Sequence, residues 1–213
     1  EILIGLVGSE MCIRDSVMVT KQGIIKRISL NAYNTARKGG LIALELNEGD
    51  ELAWVRLTDG NQQVVVATKN GLAIRFEETD VRPMGRQARG VKAISLREGD
   101  CVVGMCVVAN DDLILTASET GFGRISNVSD YRLQSRGGKG ITNYHTEKYG
   151  NVAAVSAVKL DEDIIIISQE GVIIRIAADT VRICNRPSKG VTLMRIGAVS
   201  YTHLRAHETD QYL

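Results

Sequence analysis

Residues 64–76 read VVVATKNGLAIRF. A run of apolar, mostly β-branched residues leads into a polar tetrapeptide ending in Gly71, and a second apolar run carrying one Arg follows. Polar turn residues between two such runs predict a β-hairpin, with Gly supplying a backbone angle that other residues resist. The tetrapeptide TKNG (Thr68–Gly71) is not alone. TKQG (Thr20–Gly23), SETG (Ser118–Gly121) and SQEG (Ser168–Gly171) share its pattern, and the four stand 48, 50 and 50 residues apart. Each follows an apolar run and precedes another bearing a basic residue, in IIKRI, LAIRF, FGRI and VIIRI.

A second landmark keeps the same period. Gly40, Gly90, Gly140 and Gly190 are spaced by 50 throughout, each preceded by a basic cluster in ARKGG, RQARG, SRGGKG or RPSKG. Short strand-like runs follow (LIALEL, VKAISL, ITNY, VTLMRI), and the first three lead into NEGD, REGD and KYGN turns. The unit is about four short strands per 50 residues, with no convincing amphipathic helix. Four-stranded units at this period predict an all-β, propeller-like set of blades. Trp54 is the only Trp, so it is a packing residue in the core or between blades and not a blade signature.

Composition agrees with this reading. The chain has 213 residues, 44% of them hydrophobic, with 21 Gly and only 2 Pro, which suits frequent tight turns. Its longest apolar runs, such as Ile164–Ile167, are too short to cross a bilayer as a helix. The four cysteines (Cys12, Cys101, Cys106, Cys184) form no CxxC pair and read as reduced, buried thiols. Residues 1–16 and 197–213 fit no repeat, and SEMCIRDS (Ser9–Ser16) and VSYTHLRAHETDQYL (Val199–Leu213) resemble translated sequencing-adapter fragments. They are set aside as non-native ends, leaving 17–196 as the repeat domain. His203 and His207 would share one helix face, but no third metal ligand accompanies them. Overall charge is +1, from 26 basic and 25 acidic residues, so the position of the charges matters more than their sum.

Three basic series follow the repeat. Arg37 and Lys38, Arg86 and Arg89, Arg136 and Lys139, and Arg186 and Lys189 precede the landmark glycines. Arg82, Arg132 and Arg182 stand eight residues before Gly90, Gly140 and Gly190. Arg27, Arg75, Arg124 and Arg175 follow the hairpin turns, where a cross-strand salt bridge is the expected role. Any single Arg-Gly loop reads as an ordinary solvated loop. Four in register predict a cationic track that contacts phosphates of a polyanion without reading bases, with Gly admitting backbone N–H groups to them. SRGGKG lacks phosphate-loop spacing, Asp161–Asp163 reads as a hairpin tip, and His145 stands alone, so no catalytic set emerges.

The strings TKNGLAIRFEETDVRPMG, RGVKAISLREGD, ILTASETGFGRISNVSDYRLQSRGGKGI and GVIIRIAADTVRICNRPSKGVTLMRI resemble the C-terminal domain of the DNA gyrase A family. The resemblance covers Val17–Ile196 and is to the last four of six blades. QSRGGKG (Gln134–Gly140) is similar to the family's basic Gly box, though that box lies in the first blade and Ser135 replaces a second basic residue. The resemblance implies a β-pinwheel whose rim wraps duplex DNA through the basic-Gly pairs, with the Arg82 series second. It further implies a cytoplasmic, nucleoid-associated bacterial type II topoisomerase of two A and two B subunits that supercoils DNA. ATP and Mg would be used by the gyrase B protein and the breakage region, and no cofactor by this fragment. The catalytic Tyr region is absent, and Tyr33, Tyr131, Tyr144 and Tyr149 do not stand in for it. The C-terminal domain of the paralogous topoisomerase IV protein and a protein-interaction propeller with an acidic partner are the alternatives.

Overall fold

The computed structural model of the chain describes residues 15–34, 41–168, 170–195 and 203–206. Its four hairpins are β1 (Asp15–Thr20) with β2 (Ile24–Ser29), β4 (Gln63–Thr68) with β5 (Leu72–Glu77), β8 (Leu113–Ser118) with β9 (Phe122–Asn127), and β12 (Asp163–Ile167) with β13 (Ile173–Ala177). The turns are alike in detail. Gly23, Gly71, Gly121 and Gly171 have φ of 78°, 79°, 80° and 80°. The hydroxyl that opens each tetrapeptide accepts the N–H of the first residue beyond the turn. Thr20 takes Ile24 at 3.2 Å, Thr68 takes Leu72 at 3.3 Å, Ser118 takes Phe122 at 3.2 Å and Ser168 takes Val172 at 3.1 Å. The Thr/Ser-x-x-Gly pattern is therefore turn chemistry.

The first three hairpins are widened on both sides. A third strand of the same repeat pairs with the first hairpin strand: β3 (Leu52–Thr58) with β1, β7 (Val102–Val108) with β4, and β11 (Val152–Val158) with β8. On the other side a two-residue strand arrives from the next repeat: β6 (Val91–Lys92) on β2, β10 (Ile141–Thr142) on β5, and β14 (Val191–Thr192) on β9. The first three sheets thus run β3-β1-β2-β6, β7-β4-β5-β10 and β11-β8-β9-β14. Successive third strands pack on one another at a hub, where a Cβ on Gly104 of β7 would lie 2.6 Å from the Val155 carbonyl of β11. The two-residue strands form the rim.

The core lies between blades. Val64 and Val66 face Val17, Val19 and Ile25 of the first sheet, whereas Val65 and Ala67, with Cys106 beside them in the same sheet, face Ile114 of the third. Burial on both faces explains why VVVA is continuously apolar. Trp54 is partly buried against the core between the first two blades. The acidic turns of the first two repeats tie each to its own hairpin. Asp50 Oδ1 accepts the Gln22 N–H at 3.0 Å, and Asp100 Oδ1 accepts that of Asn70 at 3.0 Å.

The ends set aside as non-native are partly within the described residues. β1 begins at Asp15, whose carboxylate lies 3.6 Å from Arg27. A strand β15 (His203–Ala206) pairs with β12, one period beyond the place of β11. Strand addition uses backbone groups alone and does not select residue type. His203 is therefore on a strand and not on a helix, and His207 and Cys12 lie outside the described residues. Of the other thiols only Cys106 is buried, and Cys101 and Cys184 are half-exposed.

Candidate nucleic-acid interface

Loops 82–90, 132–140 and 182–190 carry the basic-Gly landmark and cross from one blade to the rim of the preceding one. Each is pinned at its start by a backbone bond to the second hairpin strand of that blade. Met84, Gln134 and Cys184 donate to the carbonyls of Arg27, Arg75 and Ile125 at 2.8, 2.9 and 2.8 Å. Each ends at a glycine with positive φ, Gly90 at 99°, Gly140 at 74° and Gly190 at 81°. A Cβ there would lie 2.6 Å from Ile25 O, 2.6 Å from Ala73 O and 2.0 Å from Gly123 O. Close backbone crossing between blades thus accounts for these glycines. The access to phosphates expected of them is not needed to explain their spacing.

The basic residues divide into two groups. Arg136 is half-buried and donates from Nε to Asp80 O at 2.9 Å and from Nη1 to Lys92 O at 3.3 Å. Arg186 repeats this one period on, donating from Nε to Asp130 O at 2.8 Å and from Nη1 to Thr142 O, with its guanidinium 5.1 Å from the Tyr131 ring centre. Both arginines clamp a loop onto the neighbouring blade. Arg86 is half-buried, and its carbonyl accepts a bond from Lys26.

Arg82, Arg132, Arg182, Arg89, Lys139 and Lys189 are exposed. Arg89 holds one solvent-exposed pair with Glu45 at 2.9 Å, and Arg132 a 3.4 Å bond to Gln134. Lys189 Nζ sits 3.6 Å from the centre of the Phe122 ring. An open cleft on the fourth repeat's loop is lined by Arg182, Asn185, Ser188 and Lys189. Arg37, Lys38 and Gly40 lie outside the described residues.

The third series is corrected by strand register. Val17 pairs with Arg27, Val65 with Arg75 and Ile165 with Arg175, but Leu115 pairs with Ile125. Arg124 is therefore one residue out of step and points to the opposite face, in the register place of Lys26, Ile74 and Ile174. The expected salt bridge is present at Arg175, with Asp163, and at Arg27, which lies 3.6 Å from both Asp15 and Glu78. Arg75 instead bonds neutral acceptors, Gln63 Oε1, Asn110 Oδ1 and the carbonyls of Val128 (2.9 Å) and Tyr131 (3.0 Å).

Like Arg75, Lys26 and Arg124 are buried cations with neutral partners. Lys26 donates to Ala43 O at 2.7 Å and Arg86 O at 2.6 Å, and burial lowers its pKa. Arg124 is 0% exposed and bonds Asn143 through its carbonyl and side-chain oxygens, while Asn143 Oδ1 also accepts the Tyr131 hydroxyl at 2.7 Å. Burial lowers the Arg124 pKa and raises those of Tyr131 and Tyr144. Burial raises that of Glu78 too, with Thr58 and Arg27 opposing. These groups hold blades together and touch no open site. Among the described residues no group of three or more His, Cys, Asp or Glu could hold a metal ion. No helix among them is long and apolar enough to cross a membrane.

The carbonyl clamps were not read from sequence. The signal was available in the paired period of donor and acceptor, Arg136 with Asp80 and Lys92, then Arg186 with Asp130 and Thr142.

A family model described as the DNA gyrase C-terminal domain, a β-propeller, matches residues 17–59, 62–108, 112–159 and 162–198. The DNA gyrase A protein of Halalkalibacterium halodurans is 58% identical over 74 residues, 35% of this chain and 9% of that protein. Its counterpart in Clostridium acetobutylicum is 55% identical over 76 residues, 36% of this chain and 9% of that protein. The matched stretch thus spans under a tenth of the curated relatives. Among solved structures, a DNA gyrase A C-terminal domain has a TM-score of 0.81 at 26% identity, covering 92% of this chain and 66% of that one. The C-terminal domain of DNA topoisomerase IV also reaches 0.81, at 24% identity over 86% of this chain and 58% of that one, a likeness of fold alone.

Proposed function

The chain belongs to the DNA gyrase C-terminal β-propeller family, and from that membership we propose that it binds duplex DNA along its rim, without reading base sequence. The observation that carries this is the repeated placement of Arg82, Arg132 and Arg182 with Arg89, Lys139 and Lys189. Each loop presents two exposed cations and is fixed to its neighbour by backbone bonds. Cations held by a rigid scaffold contact phosphates with little ordering cost, and phosphate contacts position a duplex without specifying it. Bending 20–30 bp over such a surface costs on the order of 1–6 kcal/mol, which several phosphate contacts would offset. Arg136 and Arg186 position the loops. Their Nε and Nη1 groups already serve carbonyls, so the phosphate role passes to the exposed set.

The role extends to wrapping within the gyrase A protein. There an enzyme of two A and two B subunits, using ATP and Mg in its other regions, would introduce negative supercoils in the bacterial cytoplasm. This part contributes binding and no bond-breaking chemistry. The topoisomerase IV alternative rests on fold likeness, whereas residue identity of 55–58% lies with gyrase A.

The test is equilibrium binding to mixed-sequence duplexes across salt concentrations. Binding should be sequence-indifferent and fall steeply with salt. Replacing Arg82, Arg132, Lys139, Arg182 and Lys189 by Ala should flatten the log–log slope by roughly 0.9 for each phosphate no longer neutralised. An unchanged slope would exclude the rim as the DNA path and leave an acidic protein partner as the reading of the same cations.

A further inference from the structure

A lysine ammonium on a flexible four-carbon stem loses side-chain freedom when it settles on a phosphate, and that loss weakens the contact. Lys189 is held in advance. Its Nζ lies 3.6 Å from the centre of the Phe122 ring and 5.8 Å from that of Tyr149. Both rings are half-buried, and Lys189 remains exposed beside them.

Each part of this seat is fixed by its surroundings. Gly190, next in the chain to Lys189, crosses Gly123, next to Phe122, so closely that a Cβ would lie 2.0 Å from Gly123 O. The Tyr144 hydroxyl donates to Lys189 O at 3.0 Å, and its ring stands edge-on to that of Tyr149 with centres 5.9 Å apart. Tyr149 O accepts the Thr120 hydroxyl at 2.6 Å, which holds it beside the turn leading into Phe122. The sequence provides such a pair of rings at one repeat. The residue after the turn glycine is Ile24, Leu72, Phe122 or Val172, and the residue before Gly49, Gly99 and Gly150 is Glu48, Glu98 or Tyr149. The third blade thus carries two rings where the second has an aliphatic residue and an acid.

We propose that Phe122 and Tyr149 are positioning residues for DNA, holding the Lys189 ammonium where it meets a phosphate and making it a stronger contact than Lys139. The inference rests on the reading of the rim as the DNA path. A ring face attracts the ammonium through its quadrupole and leaves the opposite side of the charge free, so ring and phosphate act on it together. An ammonium already held loses less freedom on binding than one on an unrestrained stem. Lys139, with Leu72 in the place of Phe122, has to be ordered by the phosphate itself.

Equilibrium binding of the full chain to a mixed-sequence duplex across salt concentrations tests this. Lys139→Ala and Lys189→Ala should each flatten the log–log slope by roughly 0.9. Lys189→Ala should lower affinity roughly two- to fivefold more than Lys139→Ala, the worth of one exposed cation–π contact. Phe122→Leu puts the second repeat's residue into the third and keeps every charge. It should weaken binding by the same roughly two- to fivefold at unchanged slope, and should add nothing in a Lys189→Ala background. In NMR spectra the Lys189 ε-methylene protons should be shifted upfield by the rings, stay so with DNA bound, and lose most of the shift in Phe122→Leu. Equal losses from the two lysine variants would overturn the proposal. Additive effects of Phe122→Leu and Lys189→Ala would do the same, by showing that the ring acts apart from the lysine. So would ε protons that leave the ring-shifted position when DNA binds, a result that needs no variant to fold. If Phe122→Leu binds as well as wild type or better while Lys189→Ala still flattens the slope, the seat is refuted and the rim reading stands. An unchanged slope in both lysine variants removes the rim reading and the proposal with it.

Discussion

Gly140→Ala measures how firmly the loops are locked to the neighbouring blade. Gly140 has φ of 74°, and an added Cβ would lie 2.6 Å from Ala73 O and 3.4 Å from the Ile94 side chain. A left-handed Ala costs about 1–2 kcal/mol. The carbonyl is held within β5, so the incoming strand must move by several tenths of an ångström. The bonds from Asn143 and Tyr144 to Gly71 O, at 2.7 and 3.1 Å, are the first to weaken. At about 1 kcal/mol for each, the total reaches about 3–4 kcal/mol. Gly99→Ala is the control, since Gly99 has φ of 73° and a Cβ there meets nothing within 4 Å, leaving the backbone cost of about 1–2 kcal/mol alone. Urea unfolding of both variants, compared by midpoint at constant m-value, gives the difference directly. Equal destabilisation would refute the lock. A loss of DNA affinity by Gly140→Ala with no loss of stability would return the landmark glycines to a phosphate-contacting role.

Burial raises the Cys106 pKa to about 12. A thiol pKa raised on folding contributes stability that is present below its unfolded value, about 8.5, and is lost as pH rises toward the folded one. Cys106→Ala should therefore flatten the alkaline limb of the stability profile, and a disulfide reagent at pH 8 should label Cys106 only in denaturant, after half-exposed Cys101 and Cys184. Rapid native labelling of all three would contradict this. In the third blade, Asn143→Ala should destabilise more than Arg124→Met, by thermal or urea unfolding. The first takes the Oδ1 acceptor from a buried guanidinium, which keeps only the Asn143 carbonyl, and from the Tyr131 hydroxyl, which keeps Ser126 Oγ at 3.0 Å, about 2–4 kcal/mol. The second removes the charge and leaves mainly one carbonyl unpaired, about 1–3 kcal/mol. The reverse order would show that Arg124 finds compensation elsewhere.

Much of the candidate site was legible because period is a linear property. The exposed cations Arg82, Arg132 and Arg182 stand where the spacing put them, and so do Lys139 and Lys189. Their equivalents Arg136 and Arg186 look the same in sequence but reach carbonyls 44 and 56 residues away, which no local pattern encodes. Arg124 shows the finer limit. Its place after the SETG turn continues the Arg27 series to within one residue, yet a strand reverses side-chain direction at every residue, so one step moved it from the paired face to the interior.

The sequence by itself determined the four repeats, the hairpins and the turns. Each depends on residues within about a dozen positions: a hydroxyl, a glycine and two β-branched runs. Only the tertiary structure decided that a sheet takes its rim strand from the next repeat. Only there did Gly90, Gly140 and Gly190 prove to be crossing points and the basic residues separate into clamps and exposed cations. Those outcomes turn on which backbone carbonyl lies within bonding distance across a blade boundary, and that distance exists only once the blades have packed.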